Sequence, residues 1–394
     1  MNDTYRLTRR CCSWGAIIQA IALNIAPLFF VVLQNAYAIS FEKLGRLVLI
    51  TFMIQLIVDF AAIHFVDCLG YRTCMILSHV FTAGGFLLFG LLPRILPDAY
   101  VGMILAVIVY SIGAGLLEVL ISPTVEAFPS ENKATSMTMI HAFYPLGQVL
   151  TVVLTTAAIA VFGDGSWWWI FVAWAIVPVV NLLRSLRAPF PPILKSGERA
   201  PVLTLLKTPQ FWLMLVMMVC AGASEQTMGQ WASLFAEKAL GVDKLFGDLL
   251  GPCLFAACML IGRFWYGKYG DGMSLPPLLI GCSLASVVCY TLAVFAAFPL
   301  LALIGCALCG LSVSLMWPGT LSEAAAKFPT GGTALFGLLA LGGDLGCSLG
   351  PWIAGAVADL TPYGIKAGLM VAMVFPFMMF LFLILHRNAK AAEE

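Results

Sequence analysis

The sequence predicts an all-α membrane protein with twelve transmembrane helices in two pseudo-symmetric six-helix bundles, and three observations carry the prediction. Of 394 residues, 61% are hydrophobic and only 10% are charged, with a mean hydropathy of +0.97; soluble domains carry about a quarter charged residues. A bilayer core needs about 20 apolar residues to cross. Twelve such segments follow one another, at 14–38, 46–66, 73–93, 101–126, 135–162, 166–186, 209–235, 247–268, 274–297, 299–325, 333–358 and 364–386. The longest polar interval carries Pro189, Pro191, Pro192 and Pro201 with Lys195, Arg199 and Lys207. It reads as a cytoplasmic linker, 189–208, between an N-terminal bundle, 1–188, and a C-terminal bundle, 209–394.

The two halves echo each other. Gly115 and Pro123 of span 4 are matched by Gly310 and Pro318 of span 10, and each span ends shortly afterwards in Phe-Pro, at Phe128-Pro129 and Phe328-Pro329. Ordered echoes of this kind are expected of the parallel repeats of a transporter. Placing the N-terminus in the cytoplasm leaves fifteen of the 21 Lys and Arg residues inside or at inner helix ends. Only Lys43, Arg46, Arg94, Lys238, Lys244 and Lys366 then lie outside, so the positive-inside rule puts both termini in the cytoplasm, at the cell (inner) membrane. Arg9-Arg10, an apolar run and Ala36-Tyr37-Ala38 imitate a secretory signal, but the run is too long for a signal core and reads as a retained first helix.

A net charge of +1 and the lack of a basic tract interleaved with aromatics give no argument for nucleic acid. The twelve cysteines lie mostly inside apolar segments and read as small fillers. Cys306-x-x-Cys309 sits in an apolar helix without a second ligand pair, so no metal is expected. No Walker sequence or other cofactor motif is present, and no nucleophile constellation suggests an enzyme.

In span 1, Leu23-Asn24-Ile-Ala-Pro27 offers Asn24 as a polar group. In span 2, Thr51, Gln55 and Asp59 recur every four residues. Span 4 holds the lead candidate, Glu118, within Ile112–Pro129. An ionisable group at mid-membrane costs about 2.5–3.5 kcal/mol on insertion scales, so it belongs against a protein interior or a water-filled path. Ser111, Gly115, Glu118, Ser122 and Glu126 fall on one stripe of this helix. The plainer reading is a carboxylate hydrogen-bonded between helices. In span 5, His141, Tyr144, Gln148, Thr151 and Thr155 share a face, mixing donors and acceptors in a way that suits a polyhydroxy solute; the plainer reading is interhelical bonding. His141 is a possible proton partner for Glu118.

Span 7 brings Glu225, Gln226 and Gln230, with the two amides one turn apart. Either Glu225 or the amide face addresses a cavity, unless Glu225 caps a break near Gly222 or Gly229. Span 10 contributes Trp317 before Pro318, placed to stack on a sugar or to pack near a bend. Asp344 of span 11 lies beside Gly346-x-x-x-Gly350, a spacing that permits close backbone contact. Asp59 and Asp344 read as interface residues. No Arg or Lys reads as lying deep within a span, which argues against anionic solutes.

The loop after span 2, Asp67-Cys-Leu-Gly70-Tyr-Arg72, resembles the hairpin signature of the major facilitator superfamily. Gly262-Arg263, Gly267 and Asp271 after span 8 resemble its second copy. Ile63 and Cys68 depart from the pattern. The resemblance implies the major facilitator fold, with Asp67, Arg72, Arg263 and Asp271 in gating roles, spans 1, 4, 7 and 10 around the path, and spans 2 and 11 in contact. Gly113-Ala-Gly-Leu-Leu-Glu118-Val-Leu-Ile-Ser-Pro123 is similar to span 4 of the fucose permease-like branch, whose sugar:proton symporters use a glutamate there with a span-1 aspartate. Span 1 here offers only Asn24, Gln34 and Asn35, so Glu118 is expected to work alone, with His141 or with Glu225.

The reading is therefore proton-coupled uptake of a small neutral solute, a sugar or polyol, by a monomer in the lipid bilayer. Proton-coupled efflux of drugs or metabolites is the alternative. Against it, Tyr144-Pro-Leu-Gly-Gln-Val-Leu lacks the span-5 antiporter signature, and Val109-Tyr110 stands where many exporters carry a span-4 arginine.

Overall fold

Prolines decide where the helices of this protein break. The computed structural model describes residues 3–39, 41–130, 132–191, 202–236, 240–242, 247 and 249–393, and its regular elements are all helical. The α-helices are α1 (Arg6–Leu28), α2 (Phe30–Tyr37), α3 (Phe41–Leu69), α4 (Tyr71–Ile95), α5 (Ala99–Glu126), α6 (Lys133–His141), α7 (Phe143–Phe162), α8 (Trp167–Trp174) and α9 (Ile176–Ser185). They continue as α10 (Val202–Leu206), α11 (Pro209–Leu234), α12 (Leu254–Tyr269), α13 (Leu275–Phe295), α14 (Pro299–Val313), α15 (Met316–Lys327), α16 (Gly332–Leu360), α17 (Ile365–Ala372) and α18 (Val374–Glu393). Eleven stretches among the described residues are long and apolar enough to cross a membrane. The 29-residue α3 supplies the remaining span of a twelve-helix protein. The linker residues 192–201 and the basic residues Lys238 and Lys244 lie outside the described residues.

Five spans are divided, and four of the breaks share one cause. The interruptions at Ala142, Ala175, Leu315 and Met373 each fall three residues before a proline: Pro145, Pro178, Pro318 and Pro376. A proline has no N–H for the carbonyl four residues back, and its ring crowds that carbonyl, so the helix bends there. The fifth break, at Phe29, follows Pro27.

The chain divides into two units. The first comprises Met1–Ser130, Phe143–Glu198 and Gly332–Gly337. Within it α4 packs along α5, α1 lies against α5 and α7, and α3 lies against α5. Gly85, Gly102 and Gly113 bring α4 and α5 together: a Cβ on Gly102 would stand 2.8 Å from the Leu92 carbonyl carbon. The core holds an aromatic cluster in which Phe89 stacks on Phe171 with centroids 4.1 Å apart, beside Phe29, Phe86, Tyr110 and Trp167. A buried polar chain crosses it. The amide Nδ2 of Asn181 donates to the Cys11 carbonyl at 3.0 Å and to His79 Nε2 at 2.6 Å, while His79 Nδ1 lies 2.9 Å from Ser78 Oγ. Ser78 Oγ donates to the Met75 carbonyl, which leaves His79 neutral with its proton on Nδ1.

The second unit comprises Glu131–Ala142, Arg199–Gly331 and Leu338–Glu394. Here α13 packs on α14 and α18, and α12 packs on α14 and α6. The glycine pair of span 11 meets α11: a Cβ on Gly346 would lie 2.9 Å from the Ala223 nitrogen, and one on Gly350 2.9 Å from the Ala223 Cα. The spacing thus permits close backbone contact as the sequence predicts, with α11 as the partner. Replacing Gly346 with Ala is expected to lower stability by about 1–3 kcal/mol through overpacking, read as a lower unfolding temperature in detergent. Gly281→Ala, where nothing lies within 4 Å, should leave that temperature unchanged or raised.

Candidate functional site

Glu118 lies two-thirds along α5, whose N-terminus is capped by Asp98 accepting the Tyr100 N–H at 2.8 Å. One turn earlier, Gly115 lets α3 come close: a Cβ there would meet Val58 Cβ at 3.1 Å and Gln55 Cα at 3.3 Å. That approach brings the amide of Gln55 to the Glu118 carboxylate, Nε2 donating to Oε2 at 2.8 Å. Gln55 is fully buried with Thr51 and Asp59 on its own helix, while Glu118 is half-buried. Gln55 Oε1 has no hydrogen-bond partner among the described residues. An amide can serve either form of an acid, donating through nitrogen to a carboxylate or, after rotation, accepting through oxygen from a carboxylic acid. Gln55 is a hydrogen-bond partner of Glu118 that the sequence does not suggest.

In the second unit the reading of an interior without a strong base is overturned. Arg263, expected at an inner helix end, is 2% exposed on α12. Its Nη2 donates to Glu225 Oε2 at 2.8 Å, its Nη1 to the His141 carbonyl at 3.1 Å and its Nε to the Ser314 carbonyl at 3.0 Å. Gly262 lets α12 approach the span-10 bend, since a Cβ there would lie 2.8 Å from Ser314 Cβ. Gly267 does the same toward α6, against the Met139 Cα at 2.9 Å. The glycines and the arginine of this stretch therefore act together: the first bring the helices close and the last bonds them. α11 continues through Glu225 without interruption, so Glu225 caps no break there.

Residues 12–351 match the family model of the Major Facilitator Superfamily. The chain belongs to that superfamily. Its members are transporters, not enzymes, and the protein is accordingly a multi-pass membrane transporter. The chain is 24% identical over 368 residues to the membrane protein MosC of Rhizobium meliloti, covering 91% of this chain and 86% of that protein. Its fold is similar to that of the E. coli fucose:proton symporter FucP, with a TM-score of 0.81, 16% identity and coverage of 97% of this chain and 99% of that one. It is also similar to the proton:xylose symporter XylE bound to 6-bromo-6-deoxy-D-glucose, with a TM-score of 0.79, 14% identity and coverage of 97% and 96%.

The remaining candidates are distributed over both units of this major facilitator. Asn24 is half-buried and spends its Nδ2 on the Ala20 carbonyl of its own helix at 2.8 Å. The face read along span 5 is interrupted at Ala142, where α6 gives way to α7. His141 ends α6 in the second unit, whereas Tyr144 and Gln148 stand half-buried on α7 in the first. Thr151 donates to the Gly147 carbonyl at 2.7 Å and Thr155 accepts the Trp174 indole N–H at 3.0 Å; both are fully buried. Gln226 is half-buried and Gln230 exposed, and Trp231 donates to the Pro351 carbonyl at 3.0 Å. Trp317 is half-buried with its ring edge on Gly343, where a Cβ would meet Cζ2 at 3.0 Å, and Asp344 beside it is 3% exposed.

At the helix ends, Arg72 donates to the Ala188 carbonyl at 2.6 Å, and Asp271 accepts from Thr135 Oγ1 at 3.0 Å. The side chain of Asp67 lies outside the described residues. Breaking the buried ion pair one partner at a time should be costly, because the survivor keeps its charge without its counter-ion. Arg263→Gln and Glu225→Gln are each expected to lower stability by about 3–5 kcal/mol. The double variant should lose clearly less than the sum, as thermal unfolding in detergent would show.

Proposed function

We propose that this transporter carries out proton-coupled uptake of a small neutral solute, a sugar or polyol, by alternating access, with Glu118 as the proton site. The observation that carries the reading is the hydrogen bond from the buried Gln55 amide to the Glu118 carboxylate on span 4. Glu225 already faces a guanidinium, so its charge is balanced without a proton. Glu118 accepts from an amide that can serve either of its protonation states, donating to the carboxylate or accepting from the acid. Moving a two-state population from 1:99 to 99:1 takes about 5.5 kcal/mol of differential stabilisation, which one proton and one solute can share. Support comes from half-buried groups of the kind a hydroxylated solute uses: Asn24, Tyr144 and Gln148 in the first unit, and Gln226 and Trp317 in the second. The similarity in fold to two sugar:proton symporters supports this assignment. It is completed by a monomer in the cell (inner) membrane with both termini in the cytoplasm.

A second reading rests on Arg263, because a buried guanidinium is the group that would receive a solute carboxylate in place of Glu225. Uptake into proteoliposomes of L-fucose, D-xylose and D-gluconate, with and without an inward proton gradient, separates the two. The first reading expects gradient-stimulated accumulation of a neutral sugar. Stimulation of gluconate alone favours the second, and loss of preloaded compound into an acidic exterior means efflux. For the solute that is accumulated, Glu118→Gln should abolish uphill uptake while leaving solute exchange near the wild-type rate. Uphill uptake persisting in that variant would remove Glu118 from the mechanism.

A further inference from the structure

The two carbonyls bonded by Arg263 are not arbitrary. His141 lies four residues before Pro145 and Ser314 four residues before Pro318, so each is the carbonyl whose helical donor the proline deletes. In a membrane interior such a carbonyl needs another donor, since water is scarce and an unsatisfied polar group is costly. A guanidinium offers five N–H groups in a rigid plane. Arg263 spends one on each freed carbonyl and a third on Glu225, which neutralises it. The bends it meets carry two of the candidate site residues: His141 is the last residue of α6 and Trp317 the second of α15.

We infer that Arg263 is a positioning residue that holds the proline bends of spans 5 and 10 by standing in for their missing backbone donors, with Glu225 as its charge anchor. The inference does not depend on which solute is carried or on proton coupling. It accounts for an arginine inside a span, for the glycines at 262 and 267 that admit α12 to both bends, and for an acid on α11 that faces a cation. It also ties the direction of His141 and Trp317 to the state of Glu225, because one planar group touches all three elements.

The test uses hydrogen–deuterium exchange of the full-length protein in nanodiscs, read in peptides across 136–149 and 311–322. Arg263→Gln, or Arg263→Gln with Glu225→Gln if the single variant does not fold, should speed exchange about tenfold in both peptides. Peptides from α4 and α13 should be unaffected. Arg263→Lys retains the charge opposite Glu225 but not the fork. It should keep the unfolding temperature close to wild type while both bends still exchange faster. Pro145→Ala returns an N–H to the His141 carbonyl and should cancel the effect of Arg263→Gln at span 5 only; Pro318→Ala should cancel it at span 10 only. Unchanged exchange at both bends, a uniform rise through every span, or proline replacements that relieve both bends or neither would overturn the inference.

Discussion

A backbone carbonyl inside a bilayer must have a donor, and at four of the helix breaks among the described residues a proline three residues on takes one away. Much of the second unit follows from how that demand is met at spans 5 and 10. Gly262 and Gly267 let α12 lie against both bends, and Arg263 supplies the N–H groups. The guanidinium then requires an anion, which α11 provides as Glu225. A buried ion pair gains little net stability against an apolar pair of the same shape. Its value here lies in geometry, since a planar fork reaches three helices that apolar packing alone would leave free to slide.

Glu118 stands in a different electrostatic setting. Its visible partner is an amide on α3, brought within reach by the glycine one turn before it. An amide does not fix the charge of its neighbour as an arginine does; by rotating, it accommodates either form. In the proposed mechanism Glu118 and Glu225 divide the work of a coupled carrier. Glu225 is held in an ion pair with Arg263 beside two helix bends, and Glu118 is the site proposed to take up and release the proton. Close glycine contacts between α4 and α5 and between α11 and α16 bring the backbones of these helix pairs together.

Much of this was legible in the sequence because it depends on local composition. Twelve apolar runs, an acid in mid-span and Gly346-x-x-x-Gly350 each announce themselves without knowledge of neighbours. What could not be read depends on which residues meet. Gln55 belongs to the stripe Thr51, Gln55 and Asp59, but nothing local says that it reaches Glu118, 63 positions away. Arg263 looks like a loop-end arginine because it sits in a stretch resembling a hairpin signature; its burial comes from two glycine contacts with distant segments. His79 and Asn181, which join α4, α9 and the Cys11 carbonyl, stand in apolar runs with no pattern around them. Pro145 is the local signal for the interruption between His141 and Tyr144, since a proline removes the N–H that the His141 carbonyl would meet.

In the proposed mechanism the exchangeable proton resides on Glu118 and not on Glu225. Infrared difference spectroscopy of the protein in nanodiscs, acid minus alkaline, measures this directly through the C=O stretch of protonated carboxyl groups. A titrating component of that band should be present in the wild type and in Glu225→Gln and absent in Glu118→Gln. A component that survives in Glu118→Gln and disappears in Glu225→Gln would contradict the account.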